Sequence, residues 1–208
     1  MNEPQQGIYP RCFYPEITDK KSGYFDYVVI GINPGTASKL EQAFVKYIKI
    51  RDSHFGFEDI KTVAKPIMES APYYTWVRTF LERYSNKKSL NILWTELVKC
   101  QNELDSNKSK KPLDRTTEKR CFEKFLRREI RIFAKCRKQP VLVLLGSRVF
   151  WFIRQYVNKS NSGRKEFDQF LYLALYHSSG SRKFHSYFRD GNLEKKLVNA
   201  RIPKLKKF

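Results

Sequence analysis

Four runs of five or six residues, Tyr27 to Ile32, Leu90 to Trp94, Val141 to Leu145 and Phe170 to Leu175, are almost continuously apolar and bounded by turn-forming or polar residues. Short runs without polar alternation mark strands buried on both faces, as in a parallel sheet. Amphipathic helical patterns separate them. The clearest spans Thr117 to Lys135, where Phe122, Phe125, Leu126, Ile130 and Phe133 recur opposite Lys124, Arg127, Arg128 and Arg131, with Asp114 or Thr116 available as a cap. Further helices are expected over Ser38 to Arg51, Pro72 to Tyr84 and Arg148 to Val157. This alternation predicts an α/β fold: a three-layer α/β/α sandwich with a central four-stranded parallel sheet and right-handed crossovers. Ligands of such sheets sit beyond the carboxyl ends of the strands.

The 208 residues suit one domain, here read as spanning 1–208 with a basic tail at 202–208, and the 41% apolar content excludes a disordered chain. Two polar stretches, Gln101 to Arg115 and Asn158 to Lys165, read as surface loops. No apolar stretch approaches the roughly 18 residues of a membrane span, and the first residues lack the features of a signal peptide. A cytoplasmic monomer without membrane contact is the expectation. Cys12, Cys100, Cys121 and Cys136 are scattered, so reduced thiols are expected.

Forty-one Lys and Arg face 21 Asp and Glu, a formal charge of +20 that favours a polyanionic partner. Residues 181 to 208 alone carry nine Lys or Arg against two acids.

The first strand runs straight into Gly31-Ile32-Asn33-Pro34-Gly35, a turn that lets backbone approach a ligand while holding one amide side chain at the strand's carboxyl end. Neither a Gly-Lys-Ser/Thr phosphate loop nor a Gly-x-Gly-x-x-Gly dinucleotide loop is present. From local physics alone the segment reads as an ordinary strand-to-helix turn. It resembles, however, the first active-site motif of the uracil-DNA glycosylase superfamily, especially its mismatch-specific uracil/thymine branch. After the last strand, Leu175-Tyr176-His177-Ser178-Ser179-Gly180-Ser181-Arg182 resembles the second motif. Between them, Trp94-Thr95-Glu96-Leu97-Val98-Lys99-Cys100 is similar to a segment of the iron-sulfur branch, and Val143-Leu144-Leu145-Gly146-Ser147 to the family strand that ends in Leu-Gly. The resemblance runs in the family's order from about residue 25 to 200.

That resemblance implies a DNA glycosylase of base-excision repair. It would act on double- or single-stranded DNA, flip a deaminated or mismatched base out of the stack and need no cofactor. It assigns Asn33 to orienting water and His177 to donating a hydrogen bond to the departing base, with Gly31, Ile32, Pro34, Gly35, Glu96 and Ser179 lining the base pocket. Ser178, Gly180, Ser181, Arg182 and Lys183 would contact DNA, Ser181 and Arg182 as wedge and phosphate grip. Phe44, Phe55 and Phe57 are candidate stacking walls, the latter two in the SHFGF turn. Asp26 should lie at the strand's far end.

Glu96 departs from the family pattern, where an asparagine reads the uracil edge. An ionised glutamate only accepts hydrogen bonds, so it would favour a base with an exocyclic amino group, act protonated in a dry pocket, or point elsewhere. The cysteines depart too. Cys12, Cys100 and Cys121 match three of the four ligands of the iron-sulfur branch, but Tyr9 occupies the first position. Cys136 lies roughly 22 Å of helix beyond Cys121, which argues against a four-cysteine cluster and leaves free thiols or a three-thiolate site. The alternative function is a nucleic-acid-binding module that keeps the scaffold without catalysis. A phosphate-ester enzyme is weaker, because no carboxylate cluster or P-loop is visible.

Overall fold

The computed structural model describes residues 14–18, 23–32, 43, 57–99, 115–159, 161–177 and 206–207. The strands are β1 (Tyr14–Glu16), β2 (Tyr27–Gly31), β3 (Ile92–Glu96), β4 (Val141–Leu145), β5 (Leu171–Leu175) and β6 (Lys206–Lys207). They form one six-stranded mixed sheet in the order β1-β3-β2-β4-β5-β6. This corrects the expected four-stranded parallel sheet. The four expected strands are its centre and run parallel to one another, while β1 and β6 pair antiparallel at the two edges. Neither edge strand has an apolar run to announce it: β1 is three residues with Pro15 in the middle, and β6 is two exposed lysines. Lysine and proline at an edge also discourage further strand pairing.

The described helices are α1 (Phe57–Ser70), α2 (Pro72–Ser85), α3 (Arg115–Cys121), α4 (Arg127–Ala134), α5 (Ser147–Lys159) and α6 (Asn161–Phe167), with a π-helical segment, Phe122–Leu126, joining α3 to α4. Alternate residues of the central strands feed two separate cores. Tyr27, Val29, Trp94, Val143 and Leu175 pack with Ile67, Val77, Phe80 and Leu81 of α1 and α2. Val28, Ile30, Leu142 and Leu144 pack with Phe122, Leu126, Ile130, Val149, Ile153 and Phe167 on the other side. Helices therefore cover both faces of the sheet, which is why its central strands carry no polar alternation.

Three expectations need correcting. Helix α1 was not anticipated, and it makes Phe57 the first residue of a helix instead of part of a turn. Residues 161–165, expected as loop within 158–165, belong to α6; Phe167 is fully buried, and a side chain at Gly163 would meet the Tyr156 ring at 2.8 Å, so the apolar docking of this polar helix rests on these two positions. Phe125 is 38% exposed and lies off the buried stripe that Phe122, Leu126, Ile130 and Phe133 form. The expected helix over 38–51, and most of the loop over 101–115, lie outside the described residues.

At the amino edge, Asp26 and Asn91 tie β2 to β3. The Asn91 amide N–H donates to Asp26 Oδ2 (3.0 Å), the Asn91 side-chain amide donates to the Tyr24 carbonyl (3.1 Å), and Lys87 Nζ lies 3.1 Å from Asp26 Oδ1. Asp26 is thus at the far end of the strand from Gly31, as the sequence predicts.

Helices α4 and α6 are joined by charge. Arg127 grips Glu166 through two hydrogen bonds of 2.9 Å, and Arg131 Nη2 lies 2.6 Å from Glu166 Oε1. Burial pushes the Glu166 carboxyl up, but the hydrogen bonds and charges of Arg127 and Arg131 outweigh it and hold the group below its ordinary value of 4.5. A lowered carboxyl contributes stability that is present above the unfolded-state value and lost as pH falls through the folded-state value. Replacing Glu166 by Gln should therefore destabilise the protein by about 1–2 kcal/mol at neutral pH. In denaturant titrations the gap to the parent should close as pH drops through the acid range below 4.5.

Candidate functional site at the carboxyl edge

The described helices between β2 and β3, α1 and α2, pack on one face of the sheet, and those between β4 and β5, α5 and α6, on the other. Adjacent strands whose connections diverge open a crevice at their carboxyl ends, where α/β proteins bind ligands. Four of the sequence-predicted site residues, Gly31, Ile32, Glu96 and His177, are described, and all four lie along this rim. Asn33, Pro34, Gly35, Phe44, Phe55, residues 178–183 and the Phe57 side chain lie outside the described residues.

Gly31 closes β2 and pairs directly with Glu96, the last residue of β3. The chain beyond is held as well, since Leu97 N–H donates to the Gly31 carbonyl (2.8 Å) and Val98 N–H to that of Ile32 (3.0 Å). The Glu96 carboxylate folds back over Gly31. A Cβ on Gly31 would come within 2.8 Å of Glu96 Cδ and closer still to Oε2, an oxygen shut off from solvent. Glycine is needed here for space, not for an unusual backbone angle. The carboxylate thus lies against the first motif.

His177 stands two residues past β5 and is half-buried. Its Cβ lies 3.5 Å from the position a Gly146 Cβ would take, and Gly146 has φ +89°, a conformation that favours glycine. The Gly146 N–H donates to the Leu175 carbonyl (2.8 Å), fixing the ends of β4 and β5 together. On its other side the imidazole stacks on Tyr73, with centroids 5.9 Å apart and planes 20° apart. Tyr73 belongs to the first turn of α2 and also packs against Trp94 (5.8 Å), so one aromatic residue connects β3, α2 and the histidine. Sequence reasoning missed Tyr73; its signal was the Pro72-Tyr73-Tyr74 start of a helix running back from the rim.

Strand alternation puts Gly31 and Glu96 on the same sheet face as Val29 and Trp94, the face that α2 covers and against which His177 stacks. From β2 to β5 is two strand spacings, about 10 Å. A hydrogen-bond acceptor over β2 and an imidazole beyond β5 thus stand on the same rim.

Lys99, in the segment that resembles the iron-sulfur branch, is not available to a ligand. It is buried and paired with Glu129 (Nζ to Oε1 2.8 Å), and both Lys99 and Glu129 hydrogen-bond Thr95. Cys121 is free and half-buried, Cys136 free and exposed, and Cys12 and Cys100 lie outside the described residues. Among the described residues no three His, Cys, Asp or Glu side chains gather as a metal site, and no helix is long and apolar enough to cross a membrane.

No protein-family model matches the chain, and no curated protein matches it.

The packing of Glu96 on Gly31 is open to a double-mutant cycle. Gly31→Ala should destabilise the parent protein, because the new methyl displaces the carboxylate, and should cost less in a Glu96→Ala background. The expected coupling is at least about 0.5 kcal/mol by chemical denaturation.

Proposed function

We propose that this protein is a monofunctional DNA glycosylase with a uracil-DNA glycosylase-like α/β/α domain. It would hydrolyse the N-glycosidic bond of a deaminated or mismatched base flipped out of double- or single-stranded DNA, as a cytoplasmic monomer in base-excision repair. The observation that carries the reading is the rim itself. Gly31, Glu96, Gly146 and His177 come from four separate stretches of sequence, each similar to a family motif, and they converge on one edge of one sheet.

Chemically, water attacks the sugar C1′ as the C1′–N bond breaks and its electron pair leaves with the base. The transition state has a positive sugar and a negative base. Asn33, next but one to Gly31, positions the water through its side-chain carbonyl; an amide is too weak a base to remove a proton early, so the bond to the base is largely broken before the water adds. A neutral His177 donates an N–H to the base oxygen on which charge develops. Its stacking on Tyr73 and packing on Gly146 limit the ring's freedom, so little reorganisation is needed in the transition state. Arg182 and Lys183 hold backbone phosphate, and the aromatic residues Phe55 and Phe57 wall the base.

Glu96 carries the choice of base. A carboxylate lying over Gly31 accepts hydrogen bonds and repels a carbonyl oxygen, so a base edge with an amino group or ring N–H is favoured over one presenting O4. The same carboxylate favours the second reading, a nucleic-acid-binding module without catalysis, if no modified base tolerates it.

End-labelled duplexes and single strands carrying uracil, a thymine mismatch, hypoxanthine, xanthine or hydroxymethyluracil, treated with alkali after incubation, decide between the two. Cleavage at one or more of these bases is expected. Asn33→Ala and His177→Ala should each lower the rate by about 10²–10³-fold while DNA affinity changes little. Tight, salt-sensitive binding with no cleavage of any substrate would establish the second reading. Glu96→Gln, which restores an N–H donor, should move preference toward uracil by about tenfold in relative kcat/KM.

A further inference from the structure

On the face opposite Tyr73 and the Glu96 carboxylate, a groove of about 990 Å³ runs between the α3–π–α4 segment and α5. Its upper end is Ser147 and Arg148, the first residues after Gly146. Five cationic side chains line it against two carboxylates. Arg148 is committed to the buried Glu118 (Nε to Oε1 2.5 Å), and Arg127 to Glu123 and Glu166. Arg115, Lys119 and Lys159 are exposed and form no ion pair with the described residues. Both carboxylates are thus neutralised and the remaining charge is positive.

The groove also holds an aromatic face. Trp151 is 53% exposed, the Arg154 guanidinium sits 5.5 Å from its ring centroid, and Phe152 and Tyr156 also line the groove. A tryptophan left half in water costs stability that burial would have gained. Beneath it, Phe122 opens the π-helical segment, a local winding frequent at functional sites.

We propose that this groove binds a single nucleic-acid strand, with one base stacked on Trp151 and the backbone held by Arg115, Lys119 and Lys159. Charge complementarity selects a polyanion, and the exposed indole selects an unpaired one, because bases in a duplex keep their faces covered. Along the 13 residues of α5 the groove spans about 18 Å, room for at most about five phosphates at the 3.4 Å strand spacing. This site does not depend on cleavage at the rim.

The test is binding of a short fluorescein-labelled oligothymidylate to the full chain, followed by anisotropy over a range of salt. Lys119→Gln with Lys159→Gln should lower the slope of log K against log salt by about 1.4, from 0.7 per lost phosphate contact. Trp151→Leu should weaken binding about fivefold or more at fixed salt and abolish a tryptophan quench that Trp76→Phe retains. Lys88→Gln with Lys135→Gln removes the same charge at the opposite edge of the sheet and should leave both affinity and slope near the parent values. All variants lie at exposed positions, and circular dichroism confirms folding. Equal losses from the control pair, or unchanged binding in the Trp151 and Lys119/Lys159 variants, would overturn the proposal. So would an unlabelled duplex of equal length that competes as well as the single strand. Cleavage of modified bases is scored separately, so failure here leaves the rim reading intact, and the reverse holds.

Discussion

The burial of β2 on both faces governs the rest of the structure. Val28, Val29 and Ile30 have no exposed surface, and their removal from water contributes roughly 5–9 kcal/mol. A strand so enclosed needs a neighbour on each side and a helix layer on each face. With β3 on one side and β4 on the other, the strand that follows β2 in sequence and the strand that follows β4 lie on opposite sides of the pair. The placement of Gly31 and Ile32 at the rim is therefore a consequence of the core.

Much of this was legible in the sequence, for a physical reason. Strands enclosed on both faces must be apolar at every position, so β2, β3, β4 and β5 announced themselves within two residues of their ends. Helix α2 did so through Pro72 and its apolar stripe. What stayed hidden was held in place by neighbours and not by its own pattern. The edge strand β1 is stabilised by pairing with β3, by the Trp94 indole N–H donating to Glu16 (3.0 Å) and by Arg78 beside the same carboxylate. No local periodicity encodes such contacts. Helix α6 likewise depends on Phe167 and on a glycine that lets Tyr156 approach.

The site shows the same division. Motif order brought Gly31, Glu96 and His177 to notice, but the sequence left open where the Glu96 side chain goes, because a carboxylate at a strand end is equally able to reach solvent. Its position over Gly31 follows from the direct pairing of the two residues and the absence of a side chain on one of them. Tyr73 could be found only in three dimensions, since it meets His177 across more than a hundred residues of sequence. The charge was legible as a total and in its distribution along the chain, but not as which cations are paired. Folding sorts it into buried or paired cations, such as Lys99 and Arg127, and the exposed ones left to meet a polyanion.

The most direct test of the central claim, that the carboxyl rim is where a flipped base is read, is a crystal structure with a duplex carrying one deoxyuridine analogue whose glycosidic bond resists hydrolysis. The extruded base is expected at the rim between Gly31 and His177, with an imidazole nitrogen in hydrogen-bond reach of a base oxygen and Glu96 facing the base edge. A duplex bound with its bases stacked, or bound away from the rim, would contradict it.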